Sequence, residues 1–253
     1  MIPIKLTVPT RYPPFITWTL IALNCFVFFI ELNLAPDELY WLVVNYGLIP
    51  ARITAPFIYG APPLREEDLL PFITMMFLHA GWLHLIFNMW TLWLFGPAIE
   101  DRLGHGRFLF LYVLCGLGAS LAQIAVDPSS DIPAIGASGA IAGILGCALR
   151  LFPFSRVIVV VPVLFLPVFF ELHAAVYIAF WFLVQVLEGM LAFVQQAEAG
   201  VAWWAHVGGF IIGLLVGPLM KQSTRRYRAF QPDEGVLGFD LRGGRHSSSP
   251  VYR

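Results

Sequence analysis

Charge is scarce in this 253-residue chain: Asp, Glu, Lys and Arg together make up 12% of it, against roughly a quarter in soluble domains. With 58% hydrophobic residues, that shortage excludes an ordinary water-soluble domain and points to a polytopic membrane protein. The formal net charge is −1, which leaves no basic surplus to hold nucleic acid. Cysteine is nearly absent. Cys25, Cys115 and Cys147 each fall inside an apolar run with no Cys-x-x-Cys spacing, so they read as small buried hydrophobes without a redox or zinc role. No His-Glu-x-x-His occurs, and no acidic ligand stands near His79, His84 or Asn88, so neither a metal nor any other cofactor is expected. The first apolar run lacks the small-residue cleavage site of a signal peptide and is expected to stay as a helix.

What the chain has instead is long apolar runs. A spanning helix needs roughly 20 mainly apolar residues, and six stretches qualify: 15–34, 77–97, 106–126, 136–152, 171–193 and 203–220. The expected fold is therefore an all-α, six-span bundle, with 1–14 as a cytoplasmic N-terminus, 15–220 as the membrane domain and 221–253 as a disordered cytoplasmic tail. The fourth stretch is short and built of Gly, Ala and Ser, which suits a helix shielded from lipid in the middle of the bundle. The apolar stretch 157–170 is broken by Pro162 and Pro167 and reads as a connector at the cytoplasmic interface.

Orientation follows from the basic residues. With the N-terminus inside, only Arg52 and Arg65 of the 15 Lys and Arg fall outside, which favours both termini in the cytoplasm and suggests the plasma (inner) membrane. Trp18, Trp41, Trp82, Trp203 and Trp204 read as an interfacial belt, and Glu31 and Glu188, near outer span ends, as hydrated there. His105 and His173 are expected at the cytoplasmic interface, in contact with water.

In this topology His84, Asn88, Ser138 and His206 fall at one depth, on the second, fourth and sixth spans. Alone, Ser138 reads as a packing residue and His206 as a hydrogen-bonded buried histidine. Together they suggest chemistry. At about 100° per residue, Gly139, Gly143 and Gly146 share a face of the fourth helix, and Gly209, Gly213 and Gly217 form a stripe on the sixth. Small-residue faces let helix backbones approach, so stripe on stripe would bring the Ser138 hydroxyl to the His206 imidazole, as an activated nucleophile requires. His84 and Asn88 are spaced i, i+4 on one face and can donate hydrogen bonds to an oxyanion, as can the Ser138 backbone N–H. No carboxylate is placed to orient His206, since Glu188 lies on another helix and Glu198 in a short loop. A Ser–His dyad is the expectation.

At these residues the chain resembles the rhomboid family of intramembrane serine proteases. The resemblance is carried, in order, by Phe77-Leu78-His79-Ala80-Gly81-Trp82-Leu83-His84 with Asn88, Phe95-Gly96, Glu100-Asp101-Arg102-Leu103-Gly104, Gly136-Ala137-Ser138-Gly139, and Ala205-His206 with Gly209. It implies Ser138 as nucleophile, His206 as general base, His84 and Asn88 as oxyanion donors, and His79 as a structural histidine. The implied partners are the lipid bilayer and membrane proteins with helix-destabilised transmembrane segments, cut near their extracytoplasmic ends. Two features depart from many relatives: the first external loop lacks a Trp-Arg pair, and Ala142 stands where some carry a tyrosine that stacks on the histidine. Two other classes fit less well: a catalytically silent relative that binds membrane clients, which intact Ser138 and His206 argue against, and a transporter, whose internal repeats are not seen.

Overall fold

The computed structural model describes residues 2–163, 166–195 and 202–220. The expected tail disorder over 221–253 and the loop position of Glu198 lie outside the described residues. The chain opens with strand β1 (Ile2–Leu6) and helix α1 (Phe15–Glu31), followed by the short helices α2 (Pro36–Tyr46), α3 (Pro50–Ile58) and α4 (Pro71–Thr74). Helices α5 (Trp82–Leu103), α6 (His105–Val126) and α7 (Ser138–Leu151) come next, then strands β2 (Arg156–Val163) and β3 (Leu166–His173), and finally α8 (Ala174–Gln195) and α9 (Trp203–Val216).

The protein is mostly helical, and each stretch expected to span overlaps one of these apolar helices. Among the described residues, α6 and Ala174–Ala192 of α8 are long and apolar enough to cross a bilayer. The pair Glu66–Phe77 and Trp82–Leu103, bent by 79°, passes the same test together, while Phe15–Glu31, Ser138–Leu151 and Trp203–Leu219 are shorter apolar helices. The second helix starts at Trp82 rather than residue 77, because Gly81 (φ 161, ψ 177) is fully extended and breaks the helix there.

The all-α expectation is corrected by a three-stranded antiparallel sheet in the order β1-β2-β3. The stretch 157–170, expected as a connector, is most of a hairpin between α7 and α8, running from Arg156↔His173 to Val163↔Leu166. Its first strand, Arg156-Val-Ile-Val-Val-Val-Pro-Val, is rich in the β-branched residues that favour strands. Pro162 lies beyond the last pair that β2 makes with β1, Ile2↔Val160, so its missing N–H costs no bond on that side. The sheet therefore joins the N-terminal segment to the α7–α8 connection. Cys25 is exposed on α1, unlike buried Cys115 and Cys147.

Glu100 and Asp101 of α5 hold the start of α1. The buried Glu100 carboxylate accepts the backbone N–H groups of Ile16 and Thr17, both at 2.8 Å, and the Thr17 hydroxyl at 2.7 Å. These are among the first N–H groups of α1, which have no partner within the helix. Asp101 accepts Tyr12 N–H at 3.1 Å and Arg11 N–H at 3.3 Å. His105, half exposed, bonds to Glu100 through Nδ1.

The glycine stripes meet as the spacing predicts. A Cβ on Gly209 would run into the Gly139 carbonyl, and one on Gly213 into the Gly143 carbonyl. Helices α7 and α9 thus touch backbone to backbone, and Gly139 to Ala148 of α7 are all buried.

Candidate active site

Three helices and one loop bring the expected residues together. Ser138 is the first residue of α7, so its backbone N–H has no helical acceptor. His206 stands in the first turn of α9, and the close α7–α9 seam brings Ser138 Oγ within 2.7 Å of His206 Nε2. His206 is buried. A hydroxyl and an imidazole nitrogen at this distance can pass a proton between them.

His84 lies in the first turn of α5 and Asn88 one turn further. The Ala80 N–H donates to His84 Nδ1 at 3.4 Å, so the neutral ring carries its proton on Nε2. That edge borders Gly136: a Cβ there would lie 2.7 Å from His84 Nε2 and 3.6 Å from Ser138 Oγ. Gly136 also has φ +122, a backbone state that other residues rarely adopt. Only glycine satisfies both the turn into Ser138 and the approach to His84. Asn88 is buried, and its Nδ2 has no protein partner. His84, Asn88, Ser138 and His206 all line one cavity of about 780 Å³, together with Trp181 and Gln185.

The loop before α5 sets the position of these groups. Gly136 N–H donates to Met75 O at 2.8 Å, Leu48 and Ala134 form a reciprocal backbone bridge at 3.0 and 2.8 Å, and Ala51 N–H donates to Ser130 O at 3.0 Å. The Thr54 hydroxyl donates to Pro128 O at 2.6 Å and that of Thr74 to Tyr46 O at 2.7 Å. These bonds anchor the long loop in place of a Trp-Arg pair.

One expectation is revised here. Glu31 is not hydrated at an interface; it is buried, and its carboxylate accepts the His79 backbone N–H. Trp203, read as a belt residue, packs edge-on against His206 with ring centroids 6.0 Å apart, and Trp181 lies at 6.0 Å on a tilt. The histidine is thus flanked by two indoles although Ala142 offers no ring. The residue that sequence reasoning missed is Gln185 of α8, whose Oε1 lies 2.8 Å from His206 Nδ1. No carboxylate among the described residues takes that position. Among them, too, no group of three or more His, Cys, Asp or Glu could hold a metal.

Known proteins resemble this chain over more than half of its length. The family model described as Rhomboid domain matches residues 66–223. The chain is 29% identical to Rhomboid protein 1, mitochondrial, of Saccharomyces cerevisiae over 60% of its length and 42% of that relative. It is 34% identical to Rhomboid protease GluP of Bacillus subtilis over 54% of its length and 24% of that relative. To RHOMBOID-like protein 5 of Arabidopsis thaliana it is 32% identical, over 71% of its length and 52% of that relative. The matched region thus spans about half or less of each of these proteins.

Proposed function

This chain belongs to the rhomboid family, and we propose that within it the chain acts as an intramembrane serine endopeptidase that cleaves the transmembrane segments of other membrane proteins. The observation that carries the reading is the 2.7 Å contact between Ser138 Oγ and His206 Nε2 inside an apolar helical bundle. Ser138 attacks the scissile carbonyl while His206 Nε2 takes its proton, and His206 then gives that proton to the leaving amine. Water, activated by the same imidazole, releases the acyl group from Ser138. The oxyanion is met by His84 Nε2–H, Asn88 Nδ2–H and the Ser138 backbone N–H. Two observations support that role: the Ala80 N–H that donates to His84 Nδ1, which leaves the ring proton for Nε2, and the unpartnered, buried Asn88 amide.

In this reading α1, α5, α6, α7, α8 and α9 are six spans around a short central α7. Both termini face the cytoplasm and the protein sits in the plasma (inner) membrane, which the distribution of Lys and Arg supports. Cleavage then falls near the extracytoplasmic end of the substrate span, in the depth range of Ser138. No cofactor takes part.

The test is cleavage of a panel of single-span proteins by the purified chain in detergent, read by gel and mass spectrometry. Ser138→Ala abolishes cutting while the protein still folds, since one small residue replaces another. Activity survives EDTA and is blocked by isocoumarin or fluorophosphonate reagents small enough to reach Ser138. Cleavage by Ser138→Ala above a tenth of wild type would overturn the assignment.

A further inference from the structure

Both ring nitrogens of buried His206 are engaged, Nε2 with Ser138 Oγ and Nδ1 with Gln185 Oε1. Gln185 is itself buried and comes from α8, which carries none of the residues assigned a step in the reaction above. Its amide has one workable orientation. The Nε2 amino group donates to the Trp181 carbonyl one turn back, at 3.2 Å; exchanging N and O would set two acceptors against each other and lose that bond. With the amino group turned to Trp181, His206 meets Oε1, which can only accept. Nδ1 must then carry the proton. That leaves the lone pair of His206 on Nε2, where the Ser138 hydroxyl stands. The opposite tautomer would point an N–H at Ser138 and could not take its proton.

From this geometry we infer that Gln185 is a positioning residue, holding His206 in the Nδ1–H tautomer and orientation that Ser138 needs, as the neutral third member of a Ser138–His206–Gln185 triad. The inference rests on the serine-protease reading above. A carboxylate at this position would orient the ring and also balance the imidazolium, but it would place a charge inside the bundle, where ionised groups are costly. An amide orients the ring without that cost. The pairing also explains how His206 is held with Ala142 one turn after the nucleophile: the ring is fixed in plane by the Gln185 bond and flanked by Trp181 and Trp203.

The experiment uses the purified full chain, a single-span substrate that the wild type cuts, and a fluorophosphonate probe that labels Ser138. Gln185→Leu removes the acceptor and keeps comparable bulk. It lowers kcat by about tenfold to a hundredfold, less than the ~10⁴ lost when a triad carboxylate is replaced so that the wrong tautomer is held. KM and the thermal midpoint stay near wild type, and the rate of probe labelling falls in parallel with kcat, because both need a deprotonated hydroxyl. Gln185→Glu restores most of both rates, since its carboxyl oxygen accepts from Nδ1 whether or not the group is ionised. Gln185→Met carries the same test if the Leu variant does not fold. Wild-type kcat in Gln185→Leu would overturn the inference, as would a loss that tracks a lowered thermal midpoint and is not restored by Glu. Cleavage by Ser138→Ala would instead defeat the protease reading itself, so the two failures are distinguishable.

Discussion

The Glu31 carboxylate, near the end of α1, accepts the backbone N–H of His79 at 3.2 Å from 48 positions away in the chain. His79 begins the short link to α5, and the same link supplies the Ala80 N–H that holds His84 Nδ1. Glu31 is therefore a fastening for the loop that presents His84. Glu31→Leu strands a buried N–H, which costs about 1–3 kcal/mol. The expected outcome is a lower thermal midpoint in detergent and a fall in kcat. Glu31→Gln, which keeps an acceptor oxygen, loses less of both.

The α7–α9 seam predicts a second pair of outcomes. A methyl on Gly213 collides with the Gly143 carbonyl, and backbone cannot move aside as a flexible side chain can. Gly213→Ala is expected to destabilise by about 1–3 kcal/mol, as overpacked cores do, and to lower activity because Ser138 and His206 sit on the two helices forced apart. Gly106→Ala is the control. Nothing lies within 4 Å of its added Cβ, so its melting curve stays at or slightly above wild type.

That seam was legible in the sequence because glycine spacing on a helix is periodic, and periodicity projects directly onto a face. The grouping of Ser138, His206, His84 and Asn88 was expected on a separate ground, because in the topology that Lys and Arg placement favours the four fall at one depth. Gln185 carried no such signal. A glutamine in the middle of an apolar helix sets up no periodic pattern, and its contact with His206 depends on how α8 rotates against α9, which packing alone decides. Glu31 was misread because its partner is a backbone N–H, and backbone donors leave no trace in a residue pattern. The β2–β3 hairpin was hidden by ambiguity of another kind: a short run of Val, Ile and Phe with two prolines is apolar enough for a membrane segment and β-branched enough for a strand, and pairing with β1 was what decided.

Gly136 makes a prediction that separates geometry from stability. Its φ of +122 and its closeness to the His84 ring exclude a side chain, and strained backbone of this kind costs about 1–3 kcal/mol. Gly136→Ala is expected to express and keep its helices by circular dichroism while losing most of its cleavage activity, because the added methyl displaces either His84 or the turn into Ser138. Retention of full kcat would mean that the His84 ring can move without consequence and has no part in the reaction.

His84→Ala and Asn88→Ala are each expected to lower kcat more than they raise KM. An oxyanion donor acts chiefly in the transition state, and removing one typically costs about 3 kcal/mol, on the order of a hundredfold in rate. Steady-state kinetics on one substrate decides the matter. A rise in KM at unchanged kcat in both variants would reassign the two residues to substrate binding.

Substrate dependence follows from the same geometry. In the proposed reaction Ser138 Oγ reaches a carbonyl carbon only if the substrate backbone is locally extended, because in an intact helix each carbonyl is hydrogen-bonded and screened by side chains. Local unwinding is easier where the substrate carries Gly or Pro, which weaken a helix by ~1–3 kcal/mol per residue relative to Ala. Ser138 is flanked along the chain by Gly136, Ala137, Gly139 and Ala140, and Ile135 and Ile141 line the cavity beside it, a cramped approach at which a small residue is the expected one at the cut. Replacing Gly or Pro near the outer end of a cleaved span with Leu or Ala is therefore expected to slow cutting about tenfold or more, at ~1.4 kcal/mol per tenfold. Cleavage sites mapped by mass spectrometry should cluster at that end. Equal rates for helical and helix-broken substrates, or cuts mapped to the cytoplasmic end, would refute the orientation and the attack on an unwound segment together.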